Sequence, residues 1–398
     1  MGIFDALLTV PGLLLYATAA FAASCTLTAS GGDDAPAFVQ AYSACSTITI
    51  PQNTVLNIST PMNMTGGVNK HISLQGTVKF SPNIDYWSGH GYYFAFQDQI
   101  TFWILGGENV RLDGGGVLDG VGQPWYDAFA SNSSLLRPIL LTIFQGRNVQ
   151  IQDIMMLNGP EWINFVTDSS DVLYNNIHIN ASSTSKNLAK NTDGWDIYRS
   201  DNVTIQNSII NNGDDCVSFK PNSTNILVSN LNCNGSHGIS VGSLGQYPGE
   251  YDIVANVTSI NVRMANAENG ARIKAFAGPD VGSGLVKNIT FQNFTEANVD
   301  YPVVIDQCYM TAANACAAYP SNTYIEDIWF TGISGTSSGN EKSLVASLDC
   351  SPDSRCSNIN VDNLDLAPPA KYGNATYGCQ NVNITGDAAS LFGTCTTT

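Results

Sequence analysis

Residues 202–211, "NVTIQNSIIN", and 225–234, "NILVSNLNCN", read as one phrase written twice. Each opens on Asn and a β-branched residue, alternates apolar with polar positions, bends at a second Asn and closes on further apolar side chains. Such alternation sends successive side chains to opposite faces, as in a half-buried strand. The phrase recurs at 109–120 ("NVRLDGGGVLDG"), 148–159 ("NVQIQDIMMLNG"), 171–180 ("DVLYNNIHIN"), 256–266 ("NVTSINVRMAN"), 286–295 ("VKNITFQNFT"), 325–334 ("IEDIWFTGIS") and 358–367 ("NINVDNLDLA"). Over most of the run the starts lie 23 to 32 residues apart, a solenoid's period. Two-fold alternation without a helical period makes the expected fold all-β, a parallel β-helix. A lone coil cannot bury its own apolar face, so residues 24–398 are expected to stack as one domain.

Composition agrees. Charged residues are 12% of the chain, about half the usual share, and small polar residues suited to tight turns replace them. The net charge of −17, with 16 Lys and Arg, argues against a nucleic-acid partner, which calls for a basic face. Residues 1–23 end in "AFAA" and read as a signal peptide; Pro11 and Gly12 interrupt a run already short for a membrane span. The expected localisation is secreted and extracellular, with no membrane partner.

Ten cysteines fit that compartment. Neighbour pairing is the simplest proposal: Cys25 with Cys45, Cys216 with Cys233, Cys308 with Cys316, Cys350 with Cys356 and Cys379 with Cys395. Without any C-x-x-C pair, a metal site is not expected. Sequons at Asn202, Asn222, Asn256 and Asn288 suit a glycosylated surface. A monomer is the expected state.

The period also brings distant residues together. Asp193 lies 21 residues before Asp214, and His237 lies 22 after Asp215. Arg272 and Lys274 follow 35 residues after His237, one coil plus a loop. Residues one coil apart sit about 4.8 Å apart, so these side chains form a column on one face: carboxylates, then imidazole, then cations. Gly213 allows the backbone to depart locally so that both neighbouring aspartates reach that face.

"NTDGWD", "GDDC", "GSHGIS" and "RIK", in this order and spacing, resemble the polygalacturonases of glycoside hydrolase family 28. "GDDCVSFKPNSTNILV" and "GSHGISVGSLGQY" are most similar to the fungal exo-acting branch. The resemblance implies a right-handed, single-stranded, pectin-lyase-like β-helix. It also implies inverting hydrolysis of α-1,4-galacturonosidic bonds in pectin, from the non-reducing end of polygalacturonate, without a cofactor. It casts Asp214 as general acid, Asp193 and Asp215 as activators of the attacking water, and His237 as keeper of the acid's protonation. Arg272 and Lys274 would hold the sugar carboxylate, Tyr309 would contact substrate, and Asn191 would orient Asp193 or the sugar. Inversion calls for carboxyl groups about 6.5–9.5 Å apart, and repulsion within the cluster would keep the proton on Asp214. Loops walling one end of the cleft are expected from residues 85–96 and from Tyr309–Tyr324.

Other readings exist for the same residues. Adjacent aspartates also suit a calcium loop or an Asx turn, His237 a structural histidine, and Arg272 with Lys274 an ordinary solvated face. The aromatics of 85–96 serve either core packing or a sugar platform. Endo-cleavage and action on rhamnogalacturonan or xylogalacturonan are the alternatives within the family. A calcium-dependent pectate lyase and a non-catalytic glycan-binding β-helix lie outside it.

Overall fold

The computed structural model describes residues 23–397, so the leader expected at 1–23 falls, except for Ala23, outside the described residues. Twenty-four strands form one continuous system, each pairing in parallel with the strand one coil away. Two stacks run through most of it. One holds long strands, such as Asp201–Asn211, Ser223–Asn234 and Tyr251–Ala265. The other holds shorter strands: β1 (Trp195–Tyr198), β2 (Val217–Phe219), β3 (Ile239–Leu244), β4 (Asn269–Phe276) and β5 (Tyr301–Tyr309).

The repeated phrase maps onto the long strands. The β-branched residue after its corner Asn or Asp points inward, and Val203, Ile226, Val257, Ile289, Ile328 and Ile359 stack in register, all buried. Its opening Asn makes the corner. Asn202, Asn225, Asn256 and Asn288 have φ between 52° and 58°, a left-handed geometry that Asn tolerates better than other non-glycine residues. The corner amides chain together: Asn288 Nδ2 donates to Asn256 Oδ1 at 2.8 Å, and Asn256 Nδ2 to Asn225 Oδ1 at 2.9 Å. Two expected sequon asparagines therefore spend an amide hydrogen on the ladder.

One apolar core runs from Leu27 to Phe392. Helix Ala35–Ala44 buries Phe38, Ala41 and Tyr42 over the first coils. All five neighbour pairs of cysteines are bonded. In the chain-entropy model each of the longer loops so closed contributes about 3 kcal/mol. Three aromatics of 85–96 are packing residues: Trp87 is buried against Phe80 and Phe102, while Phe94 and Phe96 pack on Phe165; Tyr93 is exposed.

Candidate active site

The column expected from the period is present. Trp195 of β1 pairs with Val217 of β2, and Val217 with Ile239 of β3. Two residues before each partner stand Asp193, Asp215 and His237, equivalent positions on three consecutive coils. Gly213 serves differently from expectation. Its φ is not left-handed; a Cβ there would lie 2.4 Å from the Ala189 carbonyl oxygen, so glycine is required for close approach.

Asp193, Asp214 and Asp215 each offer an oxygen within 4.8 Å of the others. By their nearest oxygens the three are closer than the spacing expected of an inverting pair. His237 Nδ1 stands 3.1 Å from Asp214 Oδ1, and its Nε2 3.4 Å from Glu268 Oε2. Asn191 donates to Asp214 Oδ2 at 3.2 Å, so it orients Asp214 instead of Asp193.

The cations have partners within the protein. Lys274 Nζ donates to Asp215 Oδ2 at 2.7 Å, with both groups buried, and Ser240 Oγ donates to the other oxygen at 2.6 Å. Arg272 Nη1 lies 4.0 Å from Asp215 Oδ1. The Tyr309 ring lies 5.2 Å from each cation. Their first partner is therefore a carboxylate of the protein, because Asp215 could not stay charged in the interior without them. The same oxygen cluster could in geometry accept a hard cation, but Lys274 already supplies the positive charge at Asp215.

This network decides where a proton rests. Burial pushes the Asp193 carboxyl up, and the charges of Asp196 and Asp214 push it further, well above the usual carboxylate range. Burial also raises Asp214, but the hydrogen bond and charge of His237 outweigh it and leave the carboxyl below its ordinary value. For Asp215, burial is overcome by Lys274, Arg272 and Lys220, and the group is held far down. Burial disfavours the His237 imidazolium, yet Asp214 and Glu268 raise it above its ordinary value. The sequence expectation raised the carboxyl of Asp214; the shifts here run the other way, with Asp193 pushed up by burial and its neighbours and Asp214 brought down by His237. Repulsion raises every carboxyl of the cluster, and the imidazole opposes it at Asp214.

Space opens on both sides of Asp214. A pocket of about 160 Å³ is lined by Asp193, Asp215, Lys220, Lys274, Trp162 and Tyr309, with Gln97 and Gln246 at its edge. Gln97 Nε2 donates to Gln246 Oε1 at 2.9 Å, and Gln97 N donates to the Tyr247 hydroxyl at 3.2 Å. Met310, just past Tyr309, completes the lining. A cleft of about 660 Å³ lies beyond Asp214, His237 and Glu268.

Sequence reasoning missed Lys220, which closes the quoted "GDDCVSFK" and pairs with buried Asp196 at 3.0 Å. Its spacing from Asp196 was visible and matches the coil period. It also missed Glu268, which lies one coil beyond His237 at the 31-residue offset of the neighbouring strands, and Gln97 and Gln246, which carry no periodic signal.

This column of carboxylates and imidazole, with a pocket and a cleft that share Asp214, is the candidate active site. The model of the Glycosyl hydrolases family 28 matches residues 41–391, and the chain belongs to that family. It is 44% identical over 374 residues to an exopolygalacturonase of Cochliobolus carbonum, covering 90% of this chain and 83% of that one. It is 45% identical over 369 residues to a probable exopolygalacturonase X of Aspergillus fumigatus, covering 89% and 84% respectively. Among solved structures it is similar to the endo-xylogalacturonan hydrolase from Aspergillus tubingensis: TM-score 0.85 and 35% identity, covering 94% of this chain and 99% of that one.

Proposed function

We propose that this chain is an exo-acting, inverting hydrolase of α-1,4-linked galacturonan that removes single residues from the non-reducing end. The observation that carries the exo reading is the asymmetry of the two spaces that share Asp214: a small pocket lined in part by the hydrogen-bonded Gln97 and Gln246, and a roomier cleft lined by His237 and Glu268. One terminal sugar occupies the small pocket, amid the positive field of Lys220, Lys274 and Arg272, while the polymer extends along the cleft. Relatives named exopolygalacturonases support the same substrate.

His237 passes its Nδ1 proton to Asp214, and Asp214 delivers it to the glycosidic oxygen as the C1–O bond breaks. Water held by Asp193 and Asp215 attacks C1 from the opposite face. The Asp193–Asp215 pair takes the water's proton as the new C1–O bond forms, and solvent exchange returns a proton to His237. The protein acts as a monomer, secreted after loss of residues 1–23.

Digestion of polygalacturonate, followed by chromatography and by proton NMR of the first product, tests this. Monomer released as the β-anomer with slow viscosity loss is expected. Mixed oligomers with rapid viscosity loss would replace it by endo-cleavage; an α-anomer would replace inversion by retention, the outcome that closely spaced carboxyls ordinarily give.

A further inference from the structure

Arg137 is 1% exposed, yet it touches nothing that reacts. Its Nη2 donates to Asn191 Oδ1 at 2.8 Å, and Asn191 Nδ2 donates onward to Asp214 Oδ2 at 3.2 Å. Its Nη1 donates to the carbonyl oxygens of Pro160 at 2.8 Å and Lys190 at 2.7 Å. The guanidinium carbon lies 3.7 Å from the centre of the Phe129 ring, and Glu161 Oε1 stands 3.7 Å from Nη2.

Burying a guanidinium is costly unless its donors are used. Here Nη1 and Nη2 fix both the backbone leading into Asn191 and the orientation of its amide, while Nε has no hydrogen-bond partner among the described residues. With Oδ1 taken by a cation that can only donate, Asn191 must present its NH₂ to Asp214. A flipped amide would turn its oxygen on the carboxylate and repel it.

We infer that Arg137 is a positioning residue: through Asn191 it holds the Asp214 carboxyl on the line between His237 and the glycosidic oxygen. The inference rests on the acid role proposed above for Asp214. A lysine at 137 keeps the charge but cannot serve two carbonyls and the amide from one planar fork.

The experiment compares Arg137→Lys and Asn191→Ala with the unmodified protein on two substrates, polygalacturonate and 4-nitrophenyl α-galacturonide. The second has a leaving group that departs without protonation. On polygalacturonate both variants should lose about 10²-fold in kcat, the scale of a misplaced catalytic group, with KM little changed. On the aryl substrate the loss should stay within about threefold, since proton delivery no longer limits the rate. Equal losses on both substrates, or no loss on polygalacturonate, would overturn the inference. Asn191→Ala keeps the test alive if Arg137→Lys does not fold. An unmodified protein that cleaves neither substrate would instead overturn the functional reading beneath it.

Discussion

Lys274 Nζ and Asp215 Oδ2 meet at 2.7 Å, from residues 59 apart in the chain, and both residues are buried. Asp215 contributes to the site as a charged base only because that contact exists. Replacing Lys274 by Met leaves a buried carboxylate whose principal counter-charge is gone, a change that ordinarily costs about 3–5 kcal/mol. The depressed Asp215 carboxyl contributes stability above its ordinary value and loses it as pH falls through the folded one. The stability gap between the protein and Lys274→Met should therefore be widest near neutrality and shrink in strong acid. Thermal unfolding across pH measures it, and kcat should fall at least about 10²-fold as Asp215 takes up a proton. An unchanged melting temperature at pH 7 would reject the pairing as the source of Asp215's charge.

The charge on His237 sets the alkaline end of the activity profile. Its value is raised above the ordinary imidazole, so the proton is present below that raised value and lost as pH rises through it. Activity should be highest at mildly acidic pH. Glu268, half exposed at 3.4 Å from Nε2, contributes to the elevation. Glu268→Gln should move the alkaline limb of kcat to lower pH by a fraction of a unit, the scale of a solvent-screened pair. A limb that stays in place would remove Glu268 from the account of His237.

If the Gln97–Gln246 contact limits the pocket to one sugar, removing it should alter the products more than the chemistry. Gln97→Ala combined with Gln246→Ala should yield dimers and trimers beside monomer, and faster viscosity loss per bond cleaved. Chromatography of early digests checks it. Monomer alone at every time point would place the barrier elsewhere.

The strands and the column were legible because both follow from one number, the coil period. Asp193, Asp215 and His237 are equivalent positions of adjacent rungs, and a sequence with a period states such equivalences openly. The pocket's edge was not legible in that way. Gln97 reaches Gln246 across 149 residues, and Arg137 reaches Asn191 across 54, from loops that keep no period. The direction of each carboxyl's shift was hidden for a different reason. Three carboxylates are visible as letters, but the lowering of Asp214 depends on a 3.1 Å contact with His237 that spacing alone cannot weigh.

Glu296 offers a test of the interior away from the site. It is buried on a long strand, with neither carboxyl oxygen in a side-chain hydrogen bond among the described residues, and burial holds it well above the ordinary carboxylate range. A raised carboxyl binds its proton more tightly in the folded chain, so its burial costs little in acid. The cost grows as pH rises from the unfolded value towards the folded one. Glu296→Gln, which keeps the shape without the ionisable proton, should match the protein's melting temperature near pH 4 and exceed it near pH 7. Calorimetry at the two pH values decides it: a constant difference would mean that Glu296 ionises in the folded chain as it does in water.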